Sequence, residues 1–180
     1  MKHIGILIGS LRTGSFCRQV ANALIALDPK DISLQIIEIG EVSMYNQDLD
    51  ETPPKAWLDL RNSIRNLDGV IFITPEYNRS VPAVLKNALD VASRPYGQSA
   101  WDGKKGAVMS ISPGAMGGFG ANHHLRQSLV FLNVITMQQP EAYIGGVSTL
   151  FNEQGNLVND STKEFFQKFL NAFIVLVSGC

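Results

Sequence analysis

A chain of 180 residues, 45% of them apolar, is long enough to bury one core and too apolar to be disordered. Its 15 basic and 16 acidic residues leave a net charge of −1, which excludes the broad basic surface that nucleic acid requires. No apolar stretch reaches the roughly 18 residues of a membrane span. The two cysteines, Cys17 and Cys180, read as free thiols in a reducing cytoplasm rather than as a disulfide.

The N-terminus is basic and then apolar, but an apolar run of about five residues suits a first strand, Lys2 to Ile8, better than a signal peptide. Phe16, Val20, Ala23, Leu24 and Leu27 recur at helical spacing, so a helix is expected from about Ser15 to Leu27, stopped by Asp28-Pro29. Ile32 to Ile39 alternates like a strand. Pro53-Pro54 opens a helix that runs through Ile64. Gly69 to Thr74 is a strand, and Ser80 is placed to cap the helix that follows, with Pro82 in its first turn. Lys105 to Ser112 is the fourth strand. A glycine-rich segment and a helix from about Ala121 to Phe131 come next. Val134 to Gln138 is the fifth strand, and a helix from about Ser161 to Val177 closes the chain.

Strict alternation of strand and helix predicts right-handed crossovers and a parallel sheet covered on both faces. The expectation is a single α/β domain over 1–180, doubly wound, with five strands in the order 2-1-3-4-5. In that topology a ligand sits at the carboxyl ends of the strands, beside the switch point between strands 1 and 3. Three loops therefore matter.

The first is Gly9-Ser-Leu-Arg-Thr-Gly-Ser-Phe-Cys17. It runs from a strand into a helix N-terminus, where unpaired N–H groups and the helix dipole favour an anion. Ser10, Thr13 and Ser15 offer hydroxyls, and Arg12 offers a fork suited to phosphate. The segment lacks both the Gly-Lys-Ser/Thr ending of a P-loop and a Gly-x-Gly-x-x-Gly, so a single phosphate monoester suits it best. The alternative is an ordinary turn capped by Ser15. Cys17 sits at a helix start, where a thiol pKa tends to fall, but a redox-sensing thiol is the minor reading.

The second loop is Thr74-Pro-Glu-Tyr-Asn-Arg-Ser-Val-Pro82. Pro75 fixes the backbone as it leaves the sheet. Tyr77 offers a ring face and Asn78 both donors and an acceptor, and the turn's N–H groups could meet the edge of a planar heterocycle. Alternatively Tyr77 packs, Asn78 is a turn residue and Glu76 a solvated charge. The third loop, Ser112-Pro-Gly-Ala-Met-Gly-Gly-Phe-Gly120, has four glycines that either admit a ligand close to the backbone or make a flexible loop.

Together these segments resemble the NADPH-dependent FMN reductase family, with its flavodoxin-like three-layer fold. The family's Gly-Ser-x-Arg-x-x-Ser-x-Asn stands here as Gly9 to Cys17. Its Pro-Glu-Tyr-Asn-x-x-x-Pro stands intact from Pro75 to Pro82, followed by Leu85-Lys-Asn-Ala-Leu-Asp90. Its Ser-x-Gly stands as Ser112-Pro113-Gly114. His124-Leu-Arg-Gln127 and Pro140-Glu141 resemble the bacterial chromate and quinone reductases of that family, and the likeness extends from the first strand to Gly146.

The resemblance implies that Ser10, Arg12, Ser15 and the backbone of Phe16 and Cys17 hold an FMN phosphate. It implies that Pro75, Glu76, Tyr77 and Asn78 hold the isoalloxazine ring, and Ser112, Pro113 and Gly114 its far edge. Cys17 replaces the family's usual asparagine. A lost hydrogen bond near charge costs about 1.5–3 kcal/mol, so looser FMN binding is expected. The implied activity is flavin-centred hydride transfer from NADPH or NADH to quinones, azo dyes, free flavin or chromate, with no dedicated side-chain base. Arg12 would also add positive potential near an anionic acceptor. The resemblance further implies a homodimer or homotetramer, with the helix ending at Phe131 and Glu141 as contacts. His123 and His124, about 100° apart on a helix, do not make a metal pair and read as surface or subunit contacts. Flavodoxin-type electron carriers are the main alternative; they tend to be strongly acidic for docking, which a net charge of −1 does not match. A protein that has kept the fold and lost the flavin is a second, which the intact Pro75 to Pro82 motif opposes.

Overall fold

The computed structural model of the chain describes residues 1–179. Its elements alternate: β1 (Lys2–Ile8), α1 (Phe16–Ala26), β2 (Ile32–Ile37), α2 (Lys55–Arg65), β3 (Gly69–Thr74), α3 (Ala83–Ala92), β4 (Lys105–Ile111) and α4 (Phe119–Phe131). Two short strands, β5 (Ile135–Thr136) and β6 (Ala142–Ile144), precede α5 (Asp160–Ser178). The strands pair in parallel in the order β2-β1-β3-β4-β5. This is the flavodoxin-like α/β sandwich, and its switch point lies between β1 and β3, as expected. No helix among the described residues is long and apolar enough to cross a membrane.

The period-two geometry of a strand sorts the core into two layers. Ile4, Ile6, Ile71 and Ile73 point to the layer filled by α1 and α5, where Phe166, Phe169 and Phe173 are fully buried. Leu7, Val70 and Phe72 point the other way, onto Trp57 of α2, Leu85 and Leu89 of α3, and Leu125 and Leu129 of α4. Each such buried side chain contributes roughly 1.5–3 kcal/mol, so both faces of the sheet are anchored. Loops at the carboxyl edge therefore stand on a rigid base.

Two local expectations need correction. The fifth strand is not continuous over 134–138. It breaks after Thr136, and a sixth strand resumes pairing at Met109–Ile111 of β4. Between them the chain leaves the ladder: Pro140 has no N–H to donate, and Arg126 takes the Met137 carbonyl at 3.0 Å. Asn122, fully buried, donates to the Ala142 carbonyl at 3.3 Å and so holds the resumed strand to α4. Second, Ser80 does not cap α3. The N-cap position is Pro82, because the Ser80 backbone is committed to a bridge with Tyr77. Cys17 is a buried free cysteine, in line with its reading as a free thiol; the reading of Cys180 lies outside the described residues.

Candidate functional site

The loops after β1, β3 and β4 meet at one end of the sheet and enclose a cleft of about 190 Å³. Ser10, Arg12, Ser15, Phe16 and Cys17 line it from the first loop, and Pro75, Glu76 and Tyr77 from the second. Ser112 and Pro113 line it from the third. Ile111 and Val147 complete the wall without any signal in the sequence, since neither side chain carries a functional group. Asn78 and Gly114 sit beside the cleft without lining it.

The approach of the first two loops depends on Gly9. Its N–H donates to the Ile73 carbonyl at 2.8 Å, and a Cβ would stand 3.1 Å from Pro75 Cδ. Beyond it the first loop collects unpartnered donors. Ser15 occupies the N-cap position of α1, but its hydroxyl makes no capping bond, and no acidic residue lies in the first turn. The first-turn N–H groups of Phe16 and Cys17 have no backbone acceptor among the described residues. Arg12 is placed by weak local contacts, 3.4 Å to the Gly14 carbonyl and 5.6 Å from the Phe16 ring centroid. Among the described residues it forms no ion pair. A fixed cation, the Ser10 and Ser15 hydroxyls and an uncapped helix N-terminus form a donor set suited to one phosphate group.

Cys17 behaves differently from its expectation. The side chain is 1% exposed, and burial pushes the thiol up to about 12. The Ser15 hydrogen bond, its own N–H and the Arg12 charge all oppose this and are outweighed. Desolvation beats the helix N-terminus here. The thiol stays protonated and forms the apolar floor of the cleft.

The second loop is a tight turn. Tyr77 N–H donates to the Ser80 carbonyl at 3.1 Å, and Ser80 N–H donates to the Tyr77 carbonyl at 2.9 Å. Asn78 and Arg79 have φ of 50° and 63°, which is the pair of left-handed residues that a type I′ turn requires. Asn78 is thus a turn residue at an exposed tip. Tyr77 is half-exposed beside the cleft, with a ring face free to receive a planar partner. Glu76 is no solvated charge, because its two oxygens accept from Arg79 Nη1 at 3.2 Å and from the Ala121 N–H at 3.0 Å.

The third loop is not loose. Ser112 N–H donates to the Ile144 carbonyl at 3.0 Å, and Val147 N–H returns to the Ser112 carbonyl at 3.2 Å. A Cβ at Gly117 would lie 2.6 Å from the Tyr143 carbonyl carbon. The glycines serve close backbone packing against the segment from β6 to Val147. His123 and His124 diverge, one to the Tyr143 hydroxyl at 3.1 Å and the other to the Ser80 hydroxyl at 3.0 Å.

A larger concavity of about 930 Å³ lies between α3 and α4, bordered by Lys86, Arg94, Tyr96 and Phe131. Size alone does not make it the reactive site. The smaller cleft is where the helix N-terminus, Arg12 and the Ser10 and Ser15 hydroxyls converge.

Residues 1–149 match the family described as NADPH-dependent FMN reductase. The chain belongs to that family. It is therefore an oxidoreductase with FMN as cofactor and NAD(P)H as cosubstrate. The reductase is 56% identical over 171 residues to a quinone reductase of Pseudomonas putida, covering 94% of this chain and 91% of that one. It is 42% identical to a 2-hydroxy-1,4-benzoquinone reductase of a Burkholderia species, covering 97% and 95%. Among solved structures it superposes with a TM-score of 0.93 on FerB, a flavoenzyme NAD(P)H:(acceptor) oxidoreductase from Paracoccus denitrificans. Identity there is 36%, over 99% of this chain and 98% of that one. The donor set of the first loop and the exposed Tyr77 face fit a phosphorylated planar cofactor.

Proposed function

We propose that this reductase carries reducing equivalents from NAD(P)H to quinones through FMN held in the cleft of the three loops. The observation that carries the reading is the convergence of Arg12, Ser15 and the bare α1 N-terminus opposite the half-exposed Tyr77. The two quinone-reducing relatives support the acceptor class. FMN supplies the hydride chemistry between NAD(P)H and acceptor.

The chain's own groups supply position and charge. Arg12, with the Ser10 and Ser15 hydroxyls and the Phe16 and Cys17 N–H groups, binds the phosphate. Pro75 to Asn78 present turn backbone and the Tyr77 ring to one side of the isoalloxazine. Ser112 to Gly114 support its far edge. A cleft of about 190 Å³ is below the roughly 300 Å³ at which pockets begin to enclose a drug-sized ligand. FMN held in a cleft of that size would remain within reach of NAD(P)H and then of the acceptor. No acid or base is needed beyond solvent. We assign the protein to the cytoplasm and to a homodimer or homotetramer. The exposed Val130 and Phe131 of α4, with Tyr96 across the larger groove, support a second copy covering that face.

The test is an anaerobic titration of the purified protein with FMN, then NADPH, then a benzoquinone. A flavin spectrum that bleaches with NADPH and returns with quinone is expected. A protein that takes up no FMN, or a reduced flavin that quinone does not reoxidise, sinks the reading. Azo dyes, free flavin and chromate go through the same cycle as competing acceptors.

A further inference from the structure

Helix α4 begins without a cap of its own. Its N-cap residue is Gly118, at φ 75°, and its first turn holds no acidic residue. Phe119 N–H donates to the Met116 carbonyl at 3.1 Å, and the N–H groups that follow, with the positive dipole end, call for an anionic acceptor. The acceptor comes from the loop after β3, where Glu76 Oε2 takes the Ala121 N–H at 3.0 Å. A second tie runs from the Ser80 hydroxyl to His124 Nδ1 at 3.0 Å. The turn that carries Tyr77 is therefore bound to α4 at both of its ends.

Gly120 lies between those ties. A Cβ there would stand 2.9 Å from the Arg79 carbonyl oxygen and 2.9 Å from Glu76 Oε2. Backbone conformation does not demand glycine, because Gly120 is not among the positive-φ residues. Within a helix alanine is the better residue by about 1 kcal/mol. What glycine provides is close approach. The Arg79 carbonyl cannot swing aside cheaply, since Arg79 is a non-glycine residue already held in the left-handed region at φ 63°.

We propose that Gly120 is a positioning residue for the Tyr77–Ser80 turn. The first turn of α4 is the seat on which that turn rests, and the seat sets how Tyr77 and the Pro75 backbone meet the cofactor ring. The consequence for the ring rests on the FMN reading above.

The test is Gly120→Ala. If Gly120 only starts a helix, the change leaves the turn and FMN binding as they are. If it seats the turn, the new Cβ lifts it. Amide hydrogen exchange at Tyr77 and Ser80, whose N–H groups bond to each other's carbonyls, then quickens in the protein without FMN. The dissociation constant for FMN rises roughly tenfold, and the visible circular dichroism of the bound flavin changes. Glu76→Gln keeps an acceptor oxygen for Ala121 and should retain the slow exchange, while Glu76→Ala should lose it. That pair decides the matter if Gly120→Ala does not fold. Wild-type exchange at Tyr77 and Ser80 in Gly120→Ala, or in Glu76→Ala should that variant stand in for it, overturns the proposal. If the wild-type protein takes up no FMN, the flavin reading fails, and the exchange comparison still decides whether Gly120 seats the turn.

Discussion

Arg61 Nη2 and Asp50 Oδ1 face each other at 3.6 Å in the interior, and neither atom has a hydrogen-bond partner among the described residues. Other atoms of each group are engaged. Arg61 Nε donates to the Val91 carbonyl at 3.0 Å, and its guanidinium lies 5.5 Å from the Trp57 ring centroid. Asp50 Oδ2 accepts from the Tyr45 hydroxyl at 2.9 Å. Burial holds Arg61 below the usual guanidinium range, with the Asp50 charge opposing it. The pair pins the segment after β2 onto α2 and α3. That segment abuts the first loop, where Leu11 packs over Gly40.

Arg61→Ala should therefore be among the costliest single changes. It strands a largely buried carboxylate, and breaking such a pair costs about 3–5 kcal/mol. Replacing both partners by apolar or neutral groups, Arg61→Met with Asp50→Asn, should recover much of that loss. Urea unfolding midpoints of the single and double variants decide. A loss below about 1 kcal/mol for Arg61→Ala, the size of an exposed pair, would show that the pair does not pin the segment.

Cys17 should be inert in the folded protein. With Cys180→Ser removing the other thiol, labelling by a disulfide reagent at pH 8 should wait on unfolding. The same burial has a pH signature. The folded thiol titrates at about 12 and the ordinary value is 9.0. Protonated Cys17 therefore stabilises the fold fully below pH 9, and that contribution is lost as pH rises from 9 towards 12. Cys17→Ala should flatten the alkaline limb of the stability curve. Rapid labelling of the native protein would contradict the burial argument.

The case of Cys17 shows where sequence reading stops. Strands, helices and the three loops at one sheet edge were legible because apolar periodicity reports burial directly, and ten of the twelve expected site residues line the cleft. Which way a side chain turns was not legible. A helix N-terminus lowers a thiol pKa only if the thiol points outward, and Cys17 points into the core. Asn78 looked equally apt for ligand or turn until the left-handed φ at positions 78 and 79 placed both at the turn tip. Strand β6 escaped because Pro140 interrupts the pattern and the three residues Ala142–Ile144 are too short to show a period. Val147 and Gly120 act through backbone proximity across the fold, which no local pattern encodes.

Asp68 provides an acid-side signature far from the cleft. Its carboxylate accepts from the His3 N–H at 2.8 Å and from Lys2 Nζ at 3.1 Å. The His3 N–H first, then Lys2, hold it below the ordinary value of 3.8. A lowered folded value means that the unfolded chain binds the proton first. The stabilisation is present above about pH 4 and is lost as pH falls below it. The carboxylate is about a third exposed, so Asp68→Asn should cost only about 0.5–1 kcal/mol at pH 7. Wild type and variant should converge once the pH falls below the lowered folded value. A difference that persists there would assign the effect to packing.

Arg12 separates phosphate recognition from general attraction. Its guanidinium has no carboxylate partner among the described residues, whereas Arg18, in the first turn of α1, is held by Glu38 at 2.9 and 2.8 Å. A hydrogen bond to a charged group contributes about 1.5–3 kcal/mol, so Arg12→Ala should weaken FMN binding by roughly 10- to 150-fold. Arg18→Ala should leave it nearly unchanged. Riboflavin lacks the phosphate, so its affinity should be low in the wild type and insensitive to Arg12→Ala. Raising the salt concentration should narrow the gap between wild type and Arg12→Ala for FMN, because the site opens to solvent and its charge is screened. Equal losses for FMN and riboflavin would place Arg12 against the ring or the loop backbone instead of the phosphate.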